Sequence, residues 1–166
     1  MAIQKLNSQQ YFNGLYVMQV AFIIGLFLFT MIMIFLRLTG GAGAVNGSLN
    51  GSLQILVPLI FGICVLAAYF IYRKKCFRLK KKEQLNEKLM AYRGIFVMRS
   101  MLLEAPAIFS IIAFMLTGNY LFVGITATSI LLFIVLLPSK EKIANDIDLN
   151  TEDRMLINNP DTVVVD

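Results

Sequence analysis

Glu104 and Arg99 are the ionisable residues best placed to do chemistry, because both fall inside an apolar run covering residues 95–116. A charged side chain at bilayer depth costs about 2.5–3.5 kcal/mol on insertion scales, so it should face protein or water and is a functional position by default. A helix entering near Ile95 carries Glu104 about 13 Å deep, with Arg99 about 7 Å nearer the entry. Five residues of helix turn the two side chains about 140° apart, which does not favour a local ion pair. Arg99 can instead extend its stem toward the headgroups. Gln19 on the first apolar run and Ser129 on the last reach comparable depth. Glu104, Arg99, Gln19 and Ser129 are therefore the candidate intramembrane polar site. Its chemistry would be proton or ion binding, or a hydrogen-bonded clasp between helices.

Three groups of neighbours bear on that choice. Ser100, Ala107 and Ile111 share one helical stripe with Glu104, and small members of such a stripe let a second helix approach closely. Pro106 removes a backbone donor two residues beyond the acid and is expected to kink the helix there. Thr126, Thr128 and Ser129 supply hydroxyls from the following helix.

Most other chemistry is excluded by composition. The chain has no histidine, which rules out imidazole ligation of haem or zinc and Ser-His or Cys-His nucleophile pairs within it. Cys64 lies in an apolar run and Cys76 among basic residues, at different depths and without CxxC spacing, so two free structural thiols are expected. The glycines of residues 40–51 lack a Walker lysine and a preceding strand, so they are not a phosphate loop. No enzyme, cofactor or metal site is expected.

Residues 103–116 resemble the ion-carrying helix of the rotary ATPase proteolipid subunit, in which a membrane glutamate precedes Ala and an aliphatic and aromatic run. The resemblance implies that Glu104 is an ion-binding carboxylate. Three features depart from that family: the glycines cluster in a loop, a long basic connector replaces a short polar loop, and Pro106 interrupts the helix. The chain is not assigned to it.

The elements that must position these residues are apolar. Of 166 residues 58% are hydrophobic, and mean hydropathy is +0.73, whereas soluble domains average about 45–50% apolar. Four runs, at about residues 15–36, 53–72, 95–116 and 120–137, are long enough to cross a core of about 30 Å. The last has least to spare. Residues 40–52, rich in Gly, Ser and Asn, read as a flexible loop. Residues 73–93 contain good helix formers and neither Gly nor Pro, so the second span should continue as a helix beyond the lipid.

Nine Lys/Arg and two Glu give residues 73–93 a charge of +7, and the positive-inside rule places them in the cytoplasm with both chain ends. Arg73, Lys74, Lys75, Arg78, Lys80, Lys81 and Lys82 are expected to dock on anionic lipid headgroups or a partner. Nucleic acid is not an expected partner. Residues 138–166 form an acidic tail of charge −4, from three basic and seven acidic residues. Within it Asn150, followed by Glu152 and Asp153, reads as a helix cap. Met155, Leu156 and Ile157 could then dock on the membrane or another protein, and residues 161–166 should fray.

The expected fold is all-α: an integral inner-membrane four-helix bundle of two helical hairpins, N-in/C-in, with a helical basic cytoplasmic connector. Residues 1–137 are the membrane domain and 138–166 the tail. The expected role is non-catalytic, an accessory or assembly subunit of a larger membrane complex or a homo-oligomer. The alternative is an ion- or proton-conducting protein centred on Glu104.

Overall fold

The computed structural model describes residues 6–40, 47–80, 82 and 84–165. In chain order the elements are β1 (Leu6–Asn7), α1 (Ser8–Leu38), α2 (Gly47–Leu79), α3 (Leu85–Thr117), α4 (Leu121–Val135), α5 (Lys140–Asp146), α6 (Thr151–Asn158) and β2 (Val163–Val165). Nearly every described residue is therefore helical. Helices α1, α2 and α3 are each long and apolar enough to cross a membrane, and a fourth crossing is reached if α4 and α5 count as one bent pair. Half of the most apolar window of α3 is buried, against 17% in α1 and 11% in α2. That contrast makes α3 the most buried of the three.

Several boundaries differ from the sequence expectation. The loop expected over residues 40–52 is helical from Gly47, since α2 begins there; residues 41–46 lie outside the described residues. Gly, Ser and Asn are poor helix formers, but extending an existing apolar helix avoids the cost of a new nucleus. Asn50 is also anchored, its Oδ1 accepting from Asn119 Nδ2 at 3.0 Å. Helix α3 continues through Pro106 without a break. Helix α4 has only 15 residues, about 22 Å of rise. The chain then turns by 86° into α5, at Pro138 and with Ser139 capping the new helix.

Two compact units emerge, each drawn from separated parts of the chain. The first contains residues 1–19, 69–99 and 137–166. Its core joins Leu15 of α1, Leu79 of α2, Leu89 and Phe96 of α3, and Ile143, Ile147 and Ile157 of the tail. Tyr11 donates its hydroxyl to the Leu89 carbonyl at 2.6 Å. The tail residues expected to fray are instead paired. Leu6 lies opposite Val165 and Asn7 opposite Val163, antiparallel and with a bulge between them. The first amide donors of α1 are then met by the tail: Ser8 N–H donates to Thr162 O at 2.9 Å and Gln9 N–H to Pro160 O at 3.3 Å. These are the groups that a helix start leaves without an internal partner.

Asn150 caps α6 as its sequence predicts, accepting from the Asp153 amide at 2.7 Å. Ile157, expected to dock elsewhere, is buried in this core, while Met155 and Leu156 remain exposed. Its carbonyl accepts from Ser8 Oγ and from Lys140 Nζ.

The second unit contains residues 20–68 and 100–136. One core cluster gathers Leu26, Ala68, Leu103, Ala107, Ile111 and Phe133; another gathers Val57, Ala113, Phe114 and Phe122. Large apolar side chains such as Ile24, Phe27, Phe35, Ile55 and Ile63 point outward, the arrangement that a surrounding apolar solvent permits.

Candidate functional site

Helix α3 carries Glu104 into the second unit on the stripe its spacing defines. Ser100, Ala107 and Ile111 of that stripe are buried, and Glu104 is half-buried. The small Ala107 allows α4 to come close, and Thr126 Oγ1 donates to its carbonyl at 3.4 Å and to Phe122 O at 3.2 Å. Ser110 Oγ donates across the same pair of helices, to Phe122 O at 2.7 Å. Ser129, fully buried, donates to Ile125 O of its own helix at 3.2 Å. No hydrogen bond or ion pair engages the Glu104 carboxylate among the described residues.

Four residues were expected to form the polar site, and they divide between the units. Glu104 and Ser129 belong to the second, Gln19 and Arg99 to the first. Gln19 is 1% exposed. The Arg99 guanidinium stacks over the Tyr72 ring at 4.4 Å from its centroid and 6.0 Å from that of Phe96. It therefore sets its charge against aromatic faces, Tyr72 at the end of α2 and Phe96 on its own helix, in line with the 140° divergence read from the helix.

Tyr72 is the centre of a polar cluster that the sequence did not disclose. Its hydroxyl donates to the Asp146 carboxylate on α5. The Tyr92 hydroxyl on α3 lies 3.1 Å away. A phenol has one hydrogen to give, so Tyr92 must be the donor in that second bond. Cys76, one turn beyond Tyr72, is 5% exposed. Burial pushes its thiol up to about 11. The thiol is thus held in its unreactive form. A cleft of about 280 Å³ opens beside the cluster, lined by Tyr72, Arg73, Cys76, Lys80 and Asp146 among others. The tyrosines stand at span ends where an aromatic belt predicts them, but nothing local to Tyr72 announces a residue 74 positions away as its partner.

The basic connector divides by helix face. Arg73, Lys74 and Arg78 are exposed on α2 and line one groove with Phe70 and Phe77. Lys75 lies toward α3, with its Nζ 3.7 Å from Met98 Sδ. Lys80 borders the Tyr72 cleft, and Lys82 pairs with Glu87 at 3.2 Å. Lys81 lies outside the described residues. No group of three or more His, Cys, Asp or Glu is placed to hold a metal ion among the described residues. What the geometry offers is one half-buried carboxylate, a hydrogen-bonded phenol–carboxylate cluster and a cationic groove.

No family model, no curated protein and no solved structure matches the chain.

Proposed function

We propose that the chain is a four-span, non-catalytic membrane protein, both ends cytoplasmic, that serves as an accessory or assembly subunit of a larger inner-membrane complex. The observation that carries this reading is the composition of the first unit. Residues 6–19, the connector hairpin and the tail share one core, so all three segments would stand on one side of the membrane. That requires an even number of crossings between each pair of segments, which supports counting α4 as a span despite its 15 residues. A local thinning of the bilayer by several ångströms would accommodate it, at a cost of fractions of a kcal/mol per Å. The positive charge of the connector then supports the cytoplasmic side. The result is a docking platform with exposed Met155 and Leu156 and, among the described residues, no convergent acid, base and nucleophile set.

Co-purification in mild detergent at native expression level tests the role, with partner subunits expected in stoichiometric amounts. Recovery of the lone chain at every expression level would sink it. The topology has its own test. A cysteine introduced at Lys74 should be labelled by an impermeant maleimide only after the inner face is opened.

A second reading, an ion or proton pathway, is favoured by the one half-buried carboxylate on the most buried of the long helices, with no hydrogen-bonding partner among the described residues. Vesicles containing the protein would show a flux that Glu104→Gln abolishes. Equal flux in both proteins removes Glu104 from that role.

A further inference from the structure

The nine basic residues of the connector do not act as a uniform charged belt. Phe70, Arg73, Lys74, Phe77 and Arg78 line an open groove of about 570 Å³ along one face of α2. Their spacing of three, four, seven and eight residues from Phe70 confines them to a stripe about 140° wide. Phe70 and Phe77 are each 64% exposed, an unfavourable state for two large rings in water. Along the axis they are about 10 Å apart, against a headgroup layer of about 5–7 Å per leaflet. The first ring sits where the apolar run ends, and the three cations follow between and beside the two rings.

Arg73 is also held in place, and the three cations have no acidic partner among the described residues. Tyr69 Oη accepts from Arg73 Nη1 at 3.1 Å, and the guanidinium lies 5.9 Å from the centre of the same ring. Tyr69 further meets Phe70 edge to face at 5.7 Å. One residue thereby fixes both the ring and the guanidinium that face the groove, and most N–H donors of Arg73 stay free to point elsewhere. No acidic side chain lines the groove. None of Arg73, Lys74 and Arg78 forms an ion pair among the described residues.

We infer that this groove is a binding site for one anionic phospholipid, with the phosphate held by Arg73, Lys74 and Arg78, and the glycerol and upper acyl region against Phe70. Arg73 supplies the planar fork suited to phosphate, and Lys74 and Arg78 close the charge around it. Phe77 covers the water side of the headgroup. The inference rests on the membrane topology proposed above but not on the accessory role. Failure of the site and failure of the topology are distinguishable, because the labelling at Lys74 reads the second alone.

The test uses the full chain in neutral detergent, with native mass spectrometry reading retention of dioleoylphosphatidylglycerol against dioleoylphosphatidylcholine, which differ in headgroup but not in chains. Retention of the anionic lipid should exceed that of the zwitterionic one, and R73Q/K74Q/R78Q should weaken it about tenfold or more. K80Q/K82Q/R93Q removes the same charge from the same connector outside the groove and should change retention less than twofold. Phe70→Ser, which keeps every charge, should weaken it several-fold. Equal retention of both lipids, or equal losses in the two triple variants, would overturn the site in favour of diffuse attraction. Displacement of the lipid by millimolar inorganic phosphate would overturn it too, since the groove would then hold a free anion.

Discussion

The hydroxyl of Tyr72, at the end of the second apolar run, donates to the carboxylate of Asp146 in the tail. Tyr92 then donates to Tyr72, so α2, α3 and α5 are tied by two consecutive bonds. A hydrogen bond to a charged acceptor contributes about 1.5–3 kcal/mol. Tyr72→Phe should therefore lower stability by about that amount, and Asp146→Asn by somewhat less because the amide oxygen can still accept. A double-mutant cycle on thermal unfolding in detergent should return a coupling of about 0.5–3 kcal/mol. Strict additivity of the two substitutions would dissolve the tie.

Ile147 is fully buried in the core of the first unit, between the α5 segment and the connector hairpin. Ile147→Ala removes about three methylene equivalents and leaves a cavity, a change worth about 2–5 kcal/mol. The expected phenotype is local. The tail should become cleavable by added protease near residues 148–150 while the apolar helices remain protected. Unchanged protease resistance would show that the tail is held by something other than this core.

The Cys76 thiol titrates at about 11 because it is buried. Its alkylation should be slow at neutral pH and should keep rising in rate up to about that value, instead of levelling near the ordinary thiol range. A cysteine placed at the exposed Asn145 supplies the reference rate. Equal reactivity at neutral pH would mean that the cleft beside Tyr72 opens readily.

Gly118 ends α3 with φ at +71°, and a Cβ built there would stand 2.3 Å from Arg37 Nη2. Two separate costs follow. The left-handed backbone disfavours Ala by about 1–2 kcal/mol, whereas the guanidinium is the far end of a long side chain and can move aside. Asn tolerates the left-handed region better than Ala but carries the same Cβ. Gly118→Asn should thus be the milder of the two if backbone strain dominates, and the two should be equal if the contact with Arg37 dominates. Thermal unfolding in detergent separates the cases.

Much of this architecture was legible in residue order alone. Apolar runs gave the long helices because about twenty such residues leave few alternatives, and the extension of α2 past Tyr72 to Leu79 followed from a basic segment without Gly or Pro. The cap at Asn150 and the buried stripe around Glu104 were also readable, since each depends on neighbours within one or two turns. Misreadings had one common cause. The helical start at Gly47, the pairing of Val163 with Asn7, the burial of Ile157 and the Tyr72 cluster all depend on partners far along the chain. Local propensity rated residues 47–52 and the end of the tail weak, and tertiary contact overrode it there; at Tyr72 and Ile157 the helix was expected and only the distant partner was not. The division of Arg99 from Glu104 was legible in angle, but the Tyr72 ring that receives Arg99 was not.

The ribbon of β1 with β2 also constrains how the protein is made. Residues 6 and 7 leave the ribosome well before their hydrogen-bonding counterparts at 163–165, which do not exist until some 150 further residues have been polymerised. The early segment must therefore wait for these counterparts until all six helices between them have been made. Truncating translation at any point before residue 157 would leave Ser8 and the opening turn of α1 without the acceptors that complete them.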